Sequence, residues 1–330
     1  MKKLAIAVIL TLILAPCLAA APPSVQELLR WVPASAQVVM AVNGAALRAH
    51  PLVQSWLIEH PAGWSGVDTD LKQFLADAGL DPVRDVDNMV VATSALGTGH
   101  SGGFALFAGH YDVPALGAAF AKRGGAPETV AGTTVYLFTG ERCKNGAVAL
   151  FSNELVIAGD ETTLRTVLGQ PTNSSNLASQ EIAAGHIDPR APFWLAAVIP
   201  DQARAKAKEL SQPVRGEDSN AVHAVIAASG AVQRATLQAF LDDNLRLAGL
   251  AQANTAENAE LLRDLVKGAL ATMRLNFQDK SPELVDVLRS VEVKVKANEV
   301  SVVGSVPIAL LQKLAAEHKA AATRPAETHI

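Results

Sequence analysis

Residues 233–253 read QRATLQAFLDDNLRLAGLAQA, and this stretch decides the fold class. The segments Gln233–Leu241 and Leu245–Ala253 alternate apolar with polar residues on either side of Asp242-Asp243-Asn244. A period of two is strand patterning, and a short Asp/Asn cluster between two such segments is turn chemistry, so the stretch is a β-hairpin. Alternating antiparallel strands wet one face and bury the other, so helices have to cover the apolar side.

Downstream, Asn254 and Glu257 are spaced to cap a long helix whose buried stripe is expected at Leu261, Leu262, Leu265, Val266, Ala269, Leu270 and Met273. Ser281-Pro282 starts another helix, with proline in the first turn where its missing N–H costs nothing. Val291, Val293 and Val295 alternate with Glu292, Lys294 and Lys296, a strand with one dry and one wet face, followed by Val300–Val306 and a helix from Ile308.

The first half repeats this grammar. Ser24 and Glu27 form a capping box, and Gln37–Asn43 (QVVMAVN) is a strand. Helical patterns at Ala45–Ile58 and Asp70–Ala78 precede strands at Asn88–Ala95 and Gly103–Tyr111. A helix over Val113–Arg123 follows, then β segments at Thr133–Thr139, Gly146–Phe151 and Leu155–Ala158, then a short helix over Thr162–Leu168. The polar run 169–180 is the expected boundary. The expected fold is therefore α+β, with two related units at 24–170 and 181–320, each an antiparallel sheet covered by helices. Residues 321–330 are expected to form a flexible tail.

The segments TAENAELLRDLVKG (255–268) and SPELVDVLRSVEVKVKANEVSVVGSVP (281–307), with the opening PASAQVVMAVNGAALRAHP (33–51), resemble exported bacterial proteins known only as domains of unknown function. The resemblance rests on caps, turns and core stripes. It implies the layered fold and brings no catalytic residues.

Residues 1–20 read as a cleavable signal peptide: Lys2 and Lys3, an apolar run from Leu4 to Ala15, then Ala19, Ala20 and Ala21. Pro16, Pro22 and Pro23 interrupt that run before it reaches the roughly 20 residues a membrane span needs. Pro16 also spoils the lipobox that Leu14–Cys17 would otherwise make, so no lipid anchor at Cys17 is expected. Cleavage leaves 26 basic and 32 acidic side chains, a net charge of −6, which argues against nucleic acid as a partner. It also leaves Cys143 as a lone thiol between Arg142 and Lys144, without a partner for an internal disulfide.

Candidate chemistry is sparse. Gly97–Gly103 (GTGHSGG) fits G-x-S-x-G, with Ser101 as nucleophile, and also fits G-x-G-x-x-G. Both motifs need a strand before them and a helix immediately after, and FALFAGHYD looks like another strand. His186 and His223 are the later histidines such a hydrolase would draw on. His110 with Asp112, and the Asp81, Asp85, Asp87 trio, lack metal-ligand spacing and read as strand-end and connection residues. Glu260, Arg263, Asp264 and Lys267 are spaced for ion pairs along a wet helix face. With aromatic residues at 5%, platforms for stacking sugars or bases are few. No cofactor or metal is expected. The expected function is that of a non-enzymatic extracytoplasmic binding protein, whose partner is an apolar small molecule or lipid, or an envelope protein. The alternative is a serine hydrolase acting through Ser101.

Overall fold

The computed structural model describes residues 21–59, 69–94, 102–139, 145–169, 175–210, 230–279 and 281–322. Twelve strands form one antiparallel sheet in the order β11-β12-β10-β9-β8-β1-β2-β3-β7-β6-β5-β4. In chain order they are β1 (Val38–Asn43), β2 (Val86–Thr93), β3 (Gly103–Gly109), β4 (Ala126–Val130), β5 (Thr133–Phe138), β6 (Gly146–Ser152), β7 (Leu155–Asp160), β8 (Phe193–Val198), β9 (Val232–Leu241), β10 (Asn244–Ala253), β11 (Glu292–Lys296) and β12 (Glu299–Pro307). An antiparallel sheet layered with helices is the class the hairpin at 233–253 predicts. The two halves do not carry separate sheets, however. β1 and β8 pair directly, from Val38 opposite Ala197 to Val42 opposite Phe193, and join all twelve strands. Outward from this junction, one side runs β1-β2-β3-β7-β6 and continues into β5 and β4. The other runs β8-β9-β10-β12-β11 and stops.

Side chains alternate between two faces. On the first face Val39, Ala41, Val90, Ala92, Trp194 and Ala196 are almost completely buried. They are covered by α1 (Val25–Leu28) with the 3-10 turn Leu29–Trp31, by α7 (Glu161–Gly169) and by α8 (Leu177–Ala183). The Ser24/Glu27 capping box closes as the sequence predicts: the Glu27 N–H donates to Ser24 Oγ and the Ser24 N–H to Glu27 Oε2.

On the second face the two buried helix–sheet clusters among the described residues lie towards the two ends. Over β5–β7, Phe74 and Ala78 of α4 (Thr69–Ala78) and Leu116 and Phe120 of α6 (Val113–Lys122) pack with Tyr136, Val148 and Leu150. Over β10–β12, Ala259 and Leu262 of α10 (Ala256–Phe277) meet Ala251, Val293 and Val300, and α11 (Pro282–Ser290) lies against β12. The remaining described helices are α2 (Gly44–Ala49), α3 (Pro51–Glu59), α5 (Pro82–Asp85), α9 (Asp201–Leu210) and α12 (Ile308–Ala322).

Two details differ from the sequence reading of the long helix. Thr255, not Asn254, is the N-cap of α10, accepting from the Asn258 N–H. Of the expected stripe Leu262 is buried and Leu265, Val266 and Leu270 are partly buried, while Leu261 and Met273 are 57% and 48% exposed, so the buried face is narrower than the sequence marks. The edge strand β4 escapes the sequence reading altogether, because APETV holds too few apolar residues to show a period.

Candidate functional site

The second face has a distinctive middle. Register aligns Val91 of β2, Met40 of β1, Leu195 of β8 and Leu237 of β9 in one row across the junction, with Met89, Val42, Phe193 and Ala239 in the next. Each of these side chains is apolar. None is fully buried, and Leu237 is 41% exposed. On the other face Val39, Ala41, Val90, Ala92, Trp194 and Ala196 of β1, β2 and β8 are at most 1% exposed, whereas β9 places Arg234, Thr236, Gln238 and Phe240 there. At the usual strand spacing the four strands span about 15 Å, so this is a floor of apolar surface between the helix pair α4/α6 and the pair α10/α11. Among the described residues its side chains offer apolar contact area and carry no charge and no nucleophile.

A second cluster lies where α8 meets the C-terminal strands. The Glu181 carboxylate is 5% exposed and accepts from Arg234 Nη1 at 3.0 Å. His186 Nδ1 lies 2.7 Å from its other oxygen, and His186 Nε2 faces Glu299 Oε1 at 3.9 Å. Gln238 binds the same connection twice, accepting from the Asp188 N–H and donating to the His186 carbonyl. Each charge here has a partner already in place. The cluster works as a clamp between α8 and the β-strands and holds no vacant ligand position.

The residues singled out by sequence fall as follows. Ser101, His100, Cys143, Cys17, the signal-peptide residues and His223 lie outside the described residues. What flanks Ser101 is described: β2 and β3 pair directly from Thr93 opposite Gly103, and Ser94 N–H donates to the Gly102 carbonyl. A strand, rather than the helix a nucleophile elbow requires, therefore begins at Gly103. Asp112 is the N-cap of α6, accepting from the Ala115 N–H at 2.9 Å. Asp81 caps α5, Asp85 pairs with Arg84, and Asp87 pairs with Arg48 and faces His110 Nε2 at 3.7 Å. Burial raises the Tyr111 phenol above its usual range, reinforced by the charges of Asp87 and Asp85. Arg263 pairs with Glu260 three residues back, as their spacing predicts, and also with its neighbour Asp264, which that spacing does not predict. Among the described residues no three His, Cys, Asp or Glu side chains are grouped to hold a metal ion. No described helix is long and apolar enough to cross a membrane.

Sequence reasoning missed the floor itself. Its signal was present in VVMAV and FWLAA, which are apolar at every position rather than at alternate ones. Such strands have apolar side chains on both faces. No protein-family model matches the chain, and comparison with curated proteins and with solved structures gives no match.

Proposed function

We propose that this protein is an exported, non-enzymatic binding protein of the cell envelope, and that it holds an apolar ligand of lipid type on the floor formed by β2, β1, β8 and β9. One observation carries the reading: β1, β2 and β8 are sealed on one face, while the apolar rows they share with β9 on the other face are only partly buried, with Leu237 41% exposed. Leaving such side chains wet forgoes roughly 25 cal/mol for each Å² that a ligand could cover. The capped and ion-paired state of the acidic residues supports a role without catalysis. The net acidic charge supports a partner other than nucleic acid.

We further infer that the chain arose from two related α+β units. The matching order of strands outward from β1 and β8 supports this, as does the matched placement of a short N-capped helix, α1 or α8, ahead of each.

Native mass spectrometry of protein purified from its own envelope tests the ligand. The expected result is a lipid-mass adduct that disappears in Leu237→Glu, a substitution at a half-exposed position that the fold tolerates. An adduct-free spectrum, together with no thermal shift on adding a long-chain fatty acid, would overturn it.

A further inference from the structure

The two ends of the sheet are built differently, and the difference points to a second binding surface. Counting outward from the β1–β8 junction, β6 and β11 occupy the same place in the order. β6 is followed by β5, which pairs with it from Thr134 opposite Leu150 to Phe138 opposite Gly146. Beneath α6, this added strand sets Tyr136 and Phe138 against Phe120, with ring centroids 5.5 and 5.9 Å apart. β11 has no such neighbour among the described residues. Yet α10, the helix over this end, lies against β11 as well as β12 and β10 and leaves Leu261 and Met273 exposed.

The edges are also protected differently. β4 ends the sheet on one side. Its two-residue turn, Ala131 and Gly132 with φ of 48° and 81°, makes Val130–Thr133 a hydrogen-bonded pair, so Glu128 and Ala126 bond inward and Pro127 and Thr129 face outward. Proline therefore removes a donor from that free edge. On the other side Lys296–Glu299 closes the turn at Ala297 (φ 54°) and Asn298. Glu292, Lys294 and Lys296 bond to β12, and Val293 and Val295 direct their N–H and C=O groups outward. This edge contains no proline and no bulge.

We propose that β11 accepts an extended segment of a partner polypeptide as an added antiparallel strand, in the way β5 completes β6. The chemistry of β11 specifies the strand. Positions on the side of Val293 and Val295 are apolar or aromatic, to lie under α10 as Tyr136 and Phe138 lie under α6. Positions on the opposite face are acidic, to meet Lys296, which faces solvent, and Lys294, whose ammonium pairs with Glu292 on the same face. This surface is separate from the apolar floor.

The test uses the intact protein and a fluorescein-labelled synthetic peptide that alternates phenylalanine or valine with glutamate. Anisotropy is expected to show saturable binding, and hydrogen exchange to show new protection at the Val293 and Val295 amides. Val295→Pro, which copies the Pro127 arrangement, is expected to abolish binding while leaving the circular dichroism spectrum unchanged. Lys294→Glu, at an exposed side chain, is expected to weaken this peptide roughly tenfold and to favour one carrying lysine in place of glutamate. Leu237→Glu is expected to bind the peptide as the parent does, which separates failure here from failure at the floor. Binding that leaves the two amides unprotected, or that survives Val295→Pro, overturns the proposal. Protection of the same amides by concentration-dependent dimerisation, without peptide, overturns it in favour of a second copy of the chain.

Discussion

Asn176 Nδ2 donates to the Leu29 carbonyl at 2.7 Å, joining two short helices 147 residues apart. The same side chain caps α8, its Oδ1 accepting from the Ser179 N–H at 3.0 Å, and the residue has no exposed surface. Asn176→Ala removes a cap, leaves the Ser179 N–H without this acceptor, and takes one of two donors from the Leu29 carbonyl, which keeps the Val32 N–H. The expected destabilisation is roughly 2–4 kcal/mol, read as a lower urea midpoint with unchanged slope. Asn176→Asp keeps the cap but sets a buried carboxylate oxygen against the Leu29 carbonyl, and is expected to cost at least as much as alanine at neutral pH.

Glu181 holds Arg234 and His186 from a site 5% exposed to solvent. Glu181→Leu removes the acceptor for both, and the expected cost is about 2–4 kcal/mol. Arg234→Ala should cost less, because Arg234 is 43% exposed and Glu181 keeps its His186 contact. A double-mutant cycle between Glu181 and Arg234 is expected to return a coupling of about 1 kcal/mol. Additive effects would show that the pair contributes nothing beyond packing.

The parts of the fold legible in the sequence are those set by local chemistry. The Ser24/Glu27 box, the strand at QVVMAVN and the hairpin around Asp242-Asp243-Asn244 depend on neighbours a few residues apart, and each stands where its residues place it. The order of strands does not depend on neighbours. Nothing local in VVMAV or FWLAA says that β1 pairs with β8, because that pairing is fixed by fit between two apolar surfaces more than 150 residues apart. The floor shares this origin: its residues become a surface only once four strands align. The stripe on α10 failed for the converse reason. Periodicity marks which residues could face a core, but the fold buries only part of the stripe and leaves Leu261, Ala269 and Met273 exposed.

Asp77 on α4 is held down to about 2 by Lys122 and Arg123 of the α6 end and by Gln73. A carboxyl group lowered on folding contributes stability that is fully present above its unfolded value, near 4, and is lost as pH falls towards 2. The parent should therefore lose thermal stability across that window more steeply than Asp77→Asn, which has no proton to take up there. Above pH 5 the two curves should run parallel. Salt is expected to narrow the gap between them, since Lys122 is largely exposed. Identical acid slopes would show that the Asp77 contacts do not persist in solution.

Gly109 ends β3 at the point where the β2–β3 register shifts between Val86 and Asn88. A Cβ there would lie 1.9 Å from the Asp85 carbonyl oxygen, so alanine cannot be accommodated without moving backbone. That oxygen accepts from the His110 N–H at 2.9 Å, and the Gly109 N–H donates to the Glu154 carbonyl at 3.0 Å. Relief of the clash must therefore break a bond on one side or the other. Gly109→Ala is expected to cost about 2–4 kcal/mol through overpacking and a lost hydrogen bond. Gly132 provides the comparison: its φ is 81°, but a Cβ there meets open space. Gly132→Ala should cost only about 1 kcal/mol of backbone strain. Urea denaturation of both variants checks the order. If Gly109→Ala proves the milder of the two, the close approach of β3 to the Asp85 carbonyl is not a constraint the folded protein obeys.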